Sequence, residues 1–129
     1  MDTKDAERAY PETVDETHKG WLHSKPFRND PAEVSRLLVD AGLIILVLDL
    51  REGVSLCELG CGTGWLSRFA ARQGVRAVGY DISPGMVEIA REEAAREGVD
   101  VRYEVADMET LEPEEQFDTC LLYDALHHS

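Results

Sequence analysis

Positive charge is what this 129-residue chain lacks most: 13 lysines and arginines stand against 26 aspartates and glutamates, a net charge of -13 at pH 7. Such a field repels phosphate backbones and anionic headgroups, so nucleic acid and membrane surfaces are not expected partners. Long apolar runs are missing as well. The longest, residues 41–48, is far below the roughly 20 residues that cross a bilayer, and no charged-then-apolar leader opens the chain. The expectation is a soluble, cytoplasmic protein. Cysteine is scarce and odd in number. Cys57, Cys61 and Cys120 sit in apolar, strand-like runs that suit reduced core thiols better than disulfides. Cys57 and Cys61 hint at a metal pair, but no second Cys/His cluster completes four ligands, so no metal is expected.

What is present fits one domain of ordinary size, with 43% hydrophobic residues to fill a single core. Residues 1–30 form a polar segment without sustained period, broken by Pro11 and Pro26 and carrying few apolar anchors. Asp30-Pro31-Ala32-Glu33 then combines a capping carboxylate, a proline at the first helical position and a glutamate three residues after the cap. Val34, Leu37, Leu38, Ala41, Ile45 and Leu48 follow at helical spacing, predicting a helix over 31–50 with one buried face. A buried strand over 54–59, a glycine turn and a helix stopped by Gly74 come next. A second strand over 75–80 ends at Asp81, followed by a helix capped at Ser83-Pro84 and stopped at Gly98, with Met86, Ala90 and Ala94 on its inner face. The alternation of Val99, Val101, Tyr103 and Val105 marks an edge strand, whereas the apolar run 119–123 reads as an interior one. Strands alternating with helices imply an α/β fold, a Rossmann-like three-layer αβα arrangement whose parallel sheet has the order 3-2-1-4.

The glycine turn follows the first strand, where such sheets bind ligands. A dinucleotide fingerprint needs glycines at 60, 62 and 65, but position 65 is Trp; the glycines are Gly60, Gly62 and Gly64, and no Lys-Ser/Thr follows to make a phosphate loop. Three successive strand ends each carry an acid: Glu58, Asp81 and Asp107. Asp81 lies 21 residues beyond Gly60, where a carboxylate reaches ribose hydroxyls. Acids beside an opened backbone invite a ligand with ribose, amine and cationic character, as in S-adenosylmethionine.

The stretches "ELGCGTG", "VGYDISPGMVEIARE", "ADMETL" and "FDTCLLYDALHH" resemble, in order and spacing over about residues 54–128, the motifs of class I S-adenosylmethionine-dependent methyltransferases of the small-molecule type. The resemblance implies that Gly60, Gly62 and Gly64, with Cys61 among them, line the methionine portion and that Glu58 binds or orients its amino group. It further implies that Asp81 holds the ribose, Ile82 touches the adenine face, Asp107 and Met108 read the adenine edge, and Tyr123 joins the cofactor site. S-adenosylhomocysteine (SAH) would be the product. Tyr123, His127 and His128 are candidates for a catalytic role on the acceptor side. Tyr123-Asp124-Ala125-Leu126 departs from the Asn/Asp-Pro-Pro-Tyr/Phe pattern associated with planar amino groups, which favours a small-molecule acceptor over nucleic acid. The family places a lid before the first helix, a role that would fall to residues 1–30, with Trp21, His23 and Phe27.

Structural readings compete at several positions: Asp107 as a turn residue, Glu58 paired with an arginine, Trp65 as helix packing, and Glu92 with Arg96 on a solvated face. The sequence also stops soon after the fourth strand, whereas the family's sheet continues, so the chain reads as truncated. Its fourth strand is then an exposed edge through which copies associate. Two other functions stand beside methyl transfer: a truncated cofactor-binding module without turnover, and, disfavoured by Trp65, an NAD-dependent oxidoreductase.

Overall fold

The computed structural model describes residues 26–27, 30–112 and 115–123. The elements run α1 (Pro31–Val47), β1 (Ser55–Leu59), α2 (Trp65–Ala71), β2 (Arg76–Asp81), α3 (Pro84–Glu97), β3 (Arg102–Val105) and β4 (Thr119–Leu122). All strand pairs are parallel, and the sheet order is β3-β2-β1-β4, as the alternation of elements predicts. Most of the 1–30 segment, with Trp21 and His23, and the candidates His127 and His128 lie outside the described residues.

Local chemistry sets the helix ends. The Asp30 carboxylate accepts the Glu33 N–H at 3.2 Å, and the Ser83 hydroxyl accepts the Met86 N–H at 3.2 Å, each followed by proline at the first helical position. Gly98, left-handed at φ 69°, closes α3. α1 stops at Val47, earlier than Gly53 suggested. Asp49 takes the left-handed position at φ 52°, and the Leu50 N–H reaches back to the Ile45 carbonyl at 3.0 Å, a closure that short polar side chains tolerate.

The register places Tyr103, Gly79, Glu58 and Leu121 in one row across the sheet, facing one way. All three helices pack on that face: Leu37 and Ala41 of α1 meet Trp65, Leu66 and Leu121, Ala70 of α2 meets Leu56, and Val87, Ala90 and Ala94 of α3 meet Tyr103. The inner face of α3 is therefore centred on Val87 and Ala90, with Met86 half-buried at its margin. On the other face, Cys57, Val78 and Tyr80 are covered by Ala106, Leu111 and Phe117 of the β3–β4 connection. Of the two helical layers in a three-layer arrangement, the described residues build this one.

β4 is the outermost strand beside β1, with Leu122 36% exposed: its continuous apolarity by itself reads as interior, but the 3-2-1-4 order makes it an edge in this chain, as expected. One apolar segment departs from the sequence reading. α1 buries Leu37 and Ala41, yet it also turns a second stripe outward: Val39, Leu43, Leu46 and Val47 are 53–76% exposed. Helical periodicity identifies an apolar side chain's face but not whether a neighbour meets it.

Candidate functional site

β1 and β2 end side by side, and the glycine turn between β1 and α2 closes over them. The Cys61 N–H donates to the Tyr80 carbonyl at 2.9 Å, and the Gly64 N–H donates to the Cys61 carbonyl at 2.9 Å, curling the turn. Gly60, Gly62 and Gly64 all hold positive φ, at 65°, 58° and 76°. The last two glycines serve different ends. A Cβ on Gly64 would lie 2.5 Å from the phenol of Tyr103, so that glycine makes room for the core. A Cβ on Gly62 would meet nothing within 4 Å, so that glycine leaves open space.

Asp81 is half-buried at the end of β2 and braces this turn: Oδ2 accepts the Gly62 N–H at 2.9 Å and Oδ1 accepts the Ser83 N–H at 2.9 Å. One carboxylate thereby ties the turn to the cap of α3. Glu58 is buried and accepts a short hydrogen bond from the Ser67 hydroxyl of α2. Among the described residues no ion pair joins Glu58 to an arginine, the alternative reading: Arg68 bonds to Glu97 and the Thr63 carbonyl, and its charge is the smallest of the influences on Glu58. Burial pushes the Glu58 carboxyl up to about 7; the Ser67 hydrogen bond opposes the shift and the Asp81 charge adds to it. The Cys61 thiol is driven well above its ordinary range by burial, then by Glu58 and Asp81. Its side chain packs among Val87, Ala90 and Tyr103, so Cys61 faces the core. Cys57 lies in a different cluster, in register with Cys120, and burial followed by Cys120 pushes its thiol up to about 12. Among the described residues, no group of three or more His, Cys, Asp or Glu gathers to hold a metal.

The remaining candidates border the same strand ends. Ile82 is half-buried after Asp81, Asp107 half-buried beyond β3, and Met108 39% exposed. Asp107 Oδ1 accepts the Glu109 N–H at 3.0 Å, the turn role weighed against adenine recognition. Tyr123, just past β4, donates its hydroxyl to Asp40 of α1 at 2.5 Å and meets Trp65 edge-on, ring centroids 6.1 Å apart. Both rings belong to the core cluster around Leu37, so Trp65 packs as the structural reading had it. Arg96 reaches the buried Glu93.

Sequence reasoning passed over four side chains. Ser67 and Arg68 occupy a helix of two turns, too short for periodicity to assign a face, and Tyr103 reads as one apolar position in an alternating strand. Thr63 stands inside the glycine turn with its hydroxyl oxygen buried and no hydrogen-bond partner, the one such side-chain atom among the described residues. A buried hydroxyl left unmatched costs about 1 to 3 kcal/mol, and this one stands next in sequence to Gly62, where an added Cβ would meet nothing. The donor set fits S-adenosylmethionine: a hydroxyl at Thr63, an open backbone at Gly62 and the half-buried acids Asp81 and Asp107, with Glu58 buried behind them. A separate concavity of about 450 Å³ lies at the opposite ends of β1 and β4, between Glu52 and Asp118, away from the strand C-termini where α/β sheets bind ligands.

A family model described as a methyltransferase domain matches residues 56–129. The ubiquinone biosynthesis O-methyltransferase of Paramagnetospirillum magneticum is 39% identical over 77 residues, 60% of this chain and 31% of that protein. Its counterpart in Sinorhizobium fredii is 40% identical over 78 residues, 60% of this chain and 32% of the relative. The chain thus spans about a third of the length of the curated relatives it matches. Among solved structures, magnesium protoporphyrin IX methyltransferase from Synechocystis PCC 6803 with bound SAH superposes with a TM-score of 0.75 at 25% identity, over 99% of this chain and 61% of that one. Coclaurine N-methyltransferase bound to N-methylheliamine and SAH gives a TM-score of 0.63 at 27% identity, over 66% of this chain and 26% of that one. With the glycine turn, the acids at the strand ends and the 3-2-1-4 sheet in place, the chain belongs to the methyltransferase-domain family of class I S-adenosylmethionine-dependent methyltransferases.

Proposed function

We propose that this chain binds S-adenosylmethionine at the β1–β2 corner and serves methyl transfer to a small-molecule acceptor. The observation that carries the reading is the unmatched Thr63 hydroxyl beside open space at Gly62, with the turn braced by Asp81. When bound, the cofactor supplies an electrophilic methyl group on a sulfonium sulfur. The chain's residues bind and orient. Asp81 takes the ribose hydroxyls, its orientation fixed by two amides, and Asp107 with Met108 borders the adenine. Positive charge disperses from sulfur in the transition state, so a full carboxylate against the sulfur would hold the ground state instead. Glu58, withdrawn into hydrogen bonding with Ser67 and lifted to about 7, keeps its charge from that position.

The net charge of -13 disfavours a nucleic-acid acceptor, and the names of the O-methyltransferase relatives favour a small hydroxylic one. A phenol-like acceptor needs little help in losing its proton, and Tyr123 borders the acceptor side while already committed to Asp40. The place of β4 as the outermost strand among the described residues supports association of copies, which light scattering across a wide concentration range tests; a strict monomer throughout removes that part of the reading.

Calorimetric titration with SAH and with NAD tests cofactor choice: SAH binds and NAD does not, and binding of NAD alone overturns the proposal. Replacing Asp81 with alanine is expected to weaken SAH binding by about 1 to 3 kcal/mol, the scale of lost charge-assisted hydrogen bonds; unchanged affinity would remove Asp81 from the site. Transfer of label from the cofactor across an acceptor panel distinguishes an enzyme from a module that binds without turnover.

A further inference from the structure

The glycine turn is held from beneath by two side chains outside the family-like motifs. Arg68 of α2 is 2% exposed, and a guanidinium removed from water must find acceptors in place of its hydration. Its Nη1 donates to the Thr63 carbonyl at 2.5 Å, and its Nε donates to Glu97 Oε2 at 2.6 Å. The next carbonyl along the chain, that of Gly64, accepts the Tyr103 hydroxyl at 2.7 Å. Arg68 and Tyr103 are themselves in electrostatic contact. Glu97, at the end of α3, receives a second bond from Arg72 at 2.9 Å. Partial burial works against the Glu97 charge, but the bonds from Arg72 and Arg68 win and hold its carboxyl below the usual range, so it stays ionised at neutral pH.

Two consecutive peptide planes of the turn are thus oriented by a chain of contacts from α3 through Arg68 and from β3 through Tyr103. The turn is where the Thr63 hydroxyl lacks a partner and where Gly62 opens, so its conformation decides what a ligand meets. We propose that Arg68 is a positioning residue of the cofactor seat, holding the Thr63 carbonyl so that the turn is preorganised, with Glu97 as its anchor and Tyr103 as its counterpart on the neighbouring carbonyl. The proposal rests on the cofactor reading above. Preorganisation of this kind acts on affinity because a loosened turn must be ordered again by the ligand.

The test is calorimetric titration of the intact chain with SAH, beside thermal melts. Arg68→Met keeps the volume and removes the donors, and is expected to lower SAH affinity about tenfold or more. Tyr103→Phe keeps the ring in its core and is expected to lower affinity about fivefold. Arg68→Lys, which restores one charged donor, should recover part of the loss. Leu50→Ala is the control: it weakens the core cluster of Leu50, Leu56, Ala70 and Val75, which contains no residue of the turn, so at temperatures well below its melt its SAH affinity should stay within about twofold of the parent. The proposal is overturned if Arg68→Met binds as the parent does, or if affinity across all four variants simply follows melting temperature. Should Arg68→Met fail to fold, Glu97→Gln decides, since it leaves Arg68 in place and removes its charged anchor: a two- to fivefold loss supports the assignment and no change overturns it. Failure of the parent chain to bind SAH counts against the cofactor reading itself, not against the Arg68 linkage.

Discussion

The glycine corner and the outer stripe of α1 are opposites in how they are satisfied. At the corner, nearly every described polar group has a partner: Glu58 with Ser67, Asp81 with Gly62 and Ser83, and Arg68 with Thr63 and Glu97, leaving the Thr63 hydroxyl unmatched. On α1, Val39, Leu43, Leu46 and Val47 hold an apolar stripe that nothing among the described residues covers. A buried polar network is costly unless completed, so its completeness marks a unit the chain builds by itself. An exposed apolar stripe carries a smaller penalty and can persist uncovered. The corner should therefore break sharply under small changes, and the stripe should hardly respond.

The sharpest break is expected at Gly64. An alanine there adds a Cβ 2.5 Å from the Tyr103 phenol at φ 76°, combining overpacking with left-handed strain. The expected loss is about 2 to 5 kcal/mol in urea unfolding; a loss below about 1 kcal/mol would mean that Tyr103 yields freely. Next comes the pH dependence set by Glu58. Its carboxyl stands at 4.5 in the unfolded chain and about 7 in the fold, so the folded state keeps a proton that the unfolded chain has released. The associated stability is fully present below pH 4.5 and lost as pH rises through 7, in total about 3 kcal/mol. Glu58→Gln removes that dependence. The stability gap between Glu58→Gln and the parent should shift in the variant's favour by most of this amount between pH 4.5 and pH 8. Equal gaps at the two pH values would show that Glu58 does not titrate in this window. Glu97 and Asp118, both lowered by their hydrogen-bonding partners, act in the other direction at lower pH and are common to both proteins.

Gly62→Ala sharpens the comparison within the turn. It meets no neighbour and carries φ strain alone, so its cost is expected near 1 kcal/mol. Its new methyl fills the open space, so SAH binding should fall far more than stability does; intact binding would place the ligand elsewhere. The smallest effect belongs to the stripe. Leu43→Ser and Val47→Ser should change the unfolding free energy by less than about 0.5 kcal/mol at low protein concentration. A larger loss would show that the stripe is covered in solution.

Much of the corner is legible before folding because it depends on contacts near in sequence. The N-caps at Asp30 and Ser83, the glycines at positive φ and the acid closing β2 follow from local backbone sterics and hydrogen bonding, which neighbouring residues specify. The order of the strands is the one expected for an α/β sheet of this alternation, with right-handed crossovers. Arg68 was illegible because nothing in "WLSRFAAR" distinguishes a buried arginine from a solvated one; its acceptors are 5 residues behind it and 29 ahead. The apolar run of β4 by itself reads as an interior strand, and the 3-2-1-4 order makes it an edge; the structure has the edge, since composition measures the wish for burial and not the presence of a neighbour. The tie of the Tyr123 hydroxyl to Asp40, 83 positions away, is likewise a long-range contact that no local pattern carries.

The sequence by itself determined where the helices start, where the backbone must turn left-handed, which strand ends carry acids, and that Trp65 rules out close helix packing of the dinucleotide kind. These depend on sterics and hydrogen bonds reaching four or five residues at most. The tertiary structure alone decided that Glu58 is sealed against Ser67 and lifted toward neutral pH, that Gly64 serves Tyr103 while Gly62 leaves space, and that Arg68 holds the turn. Each of these depends on which distant surfaces exclude water from which polar groups, and exclusion of water is a property of the packed chain rather than of any stretch of it.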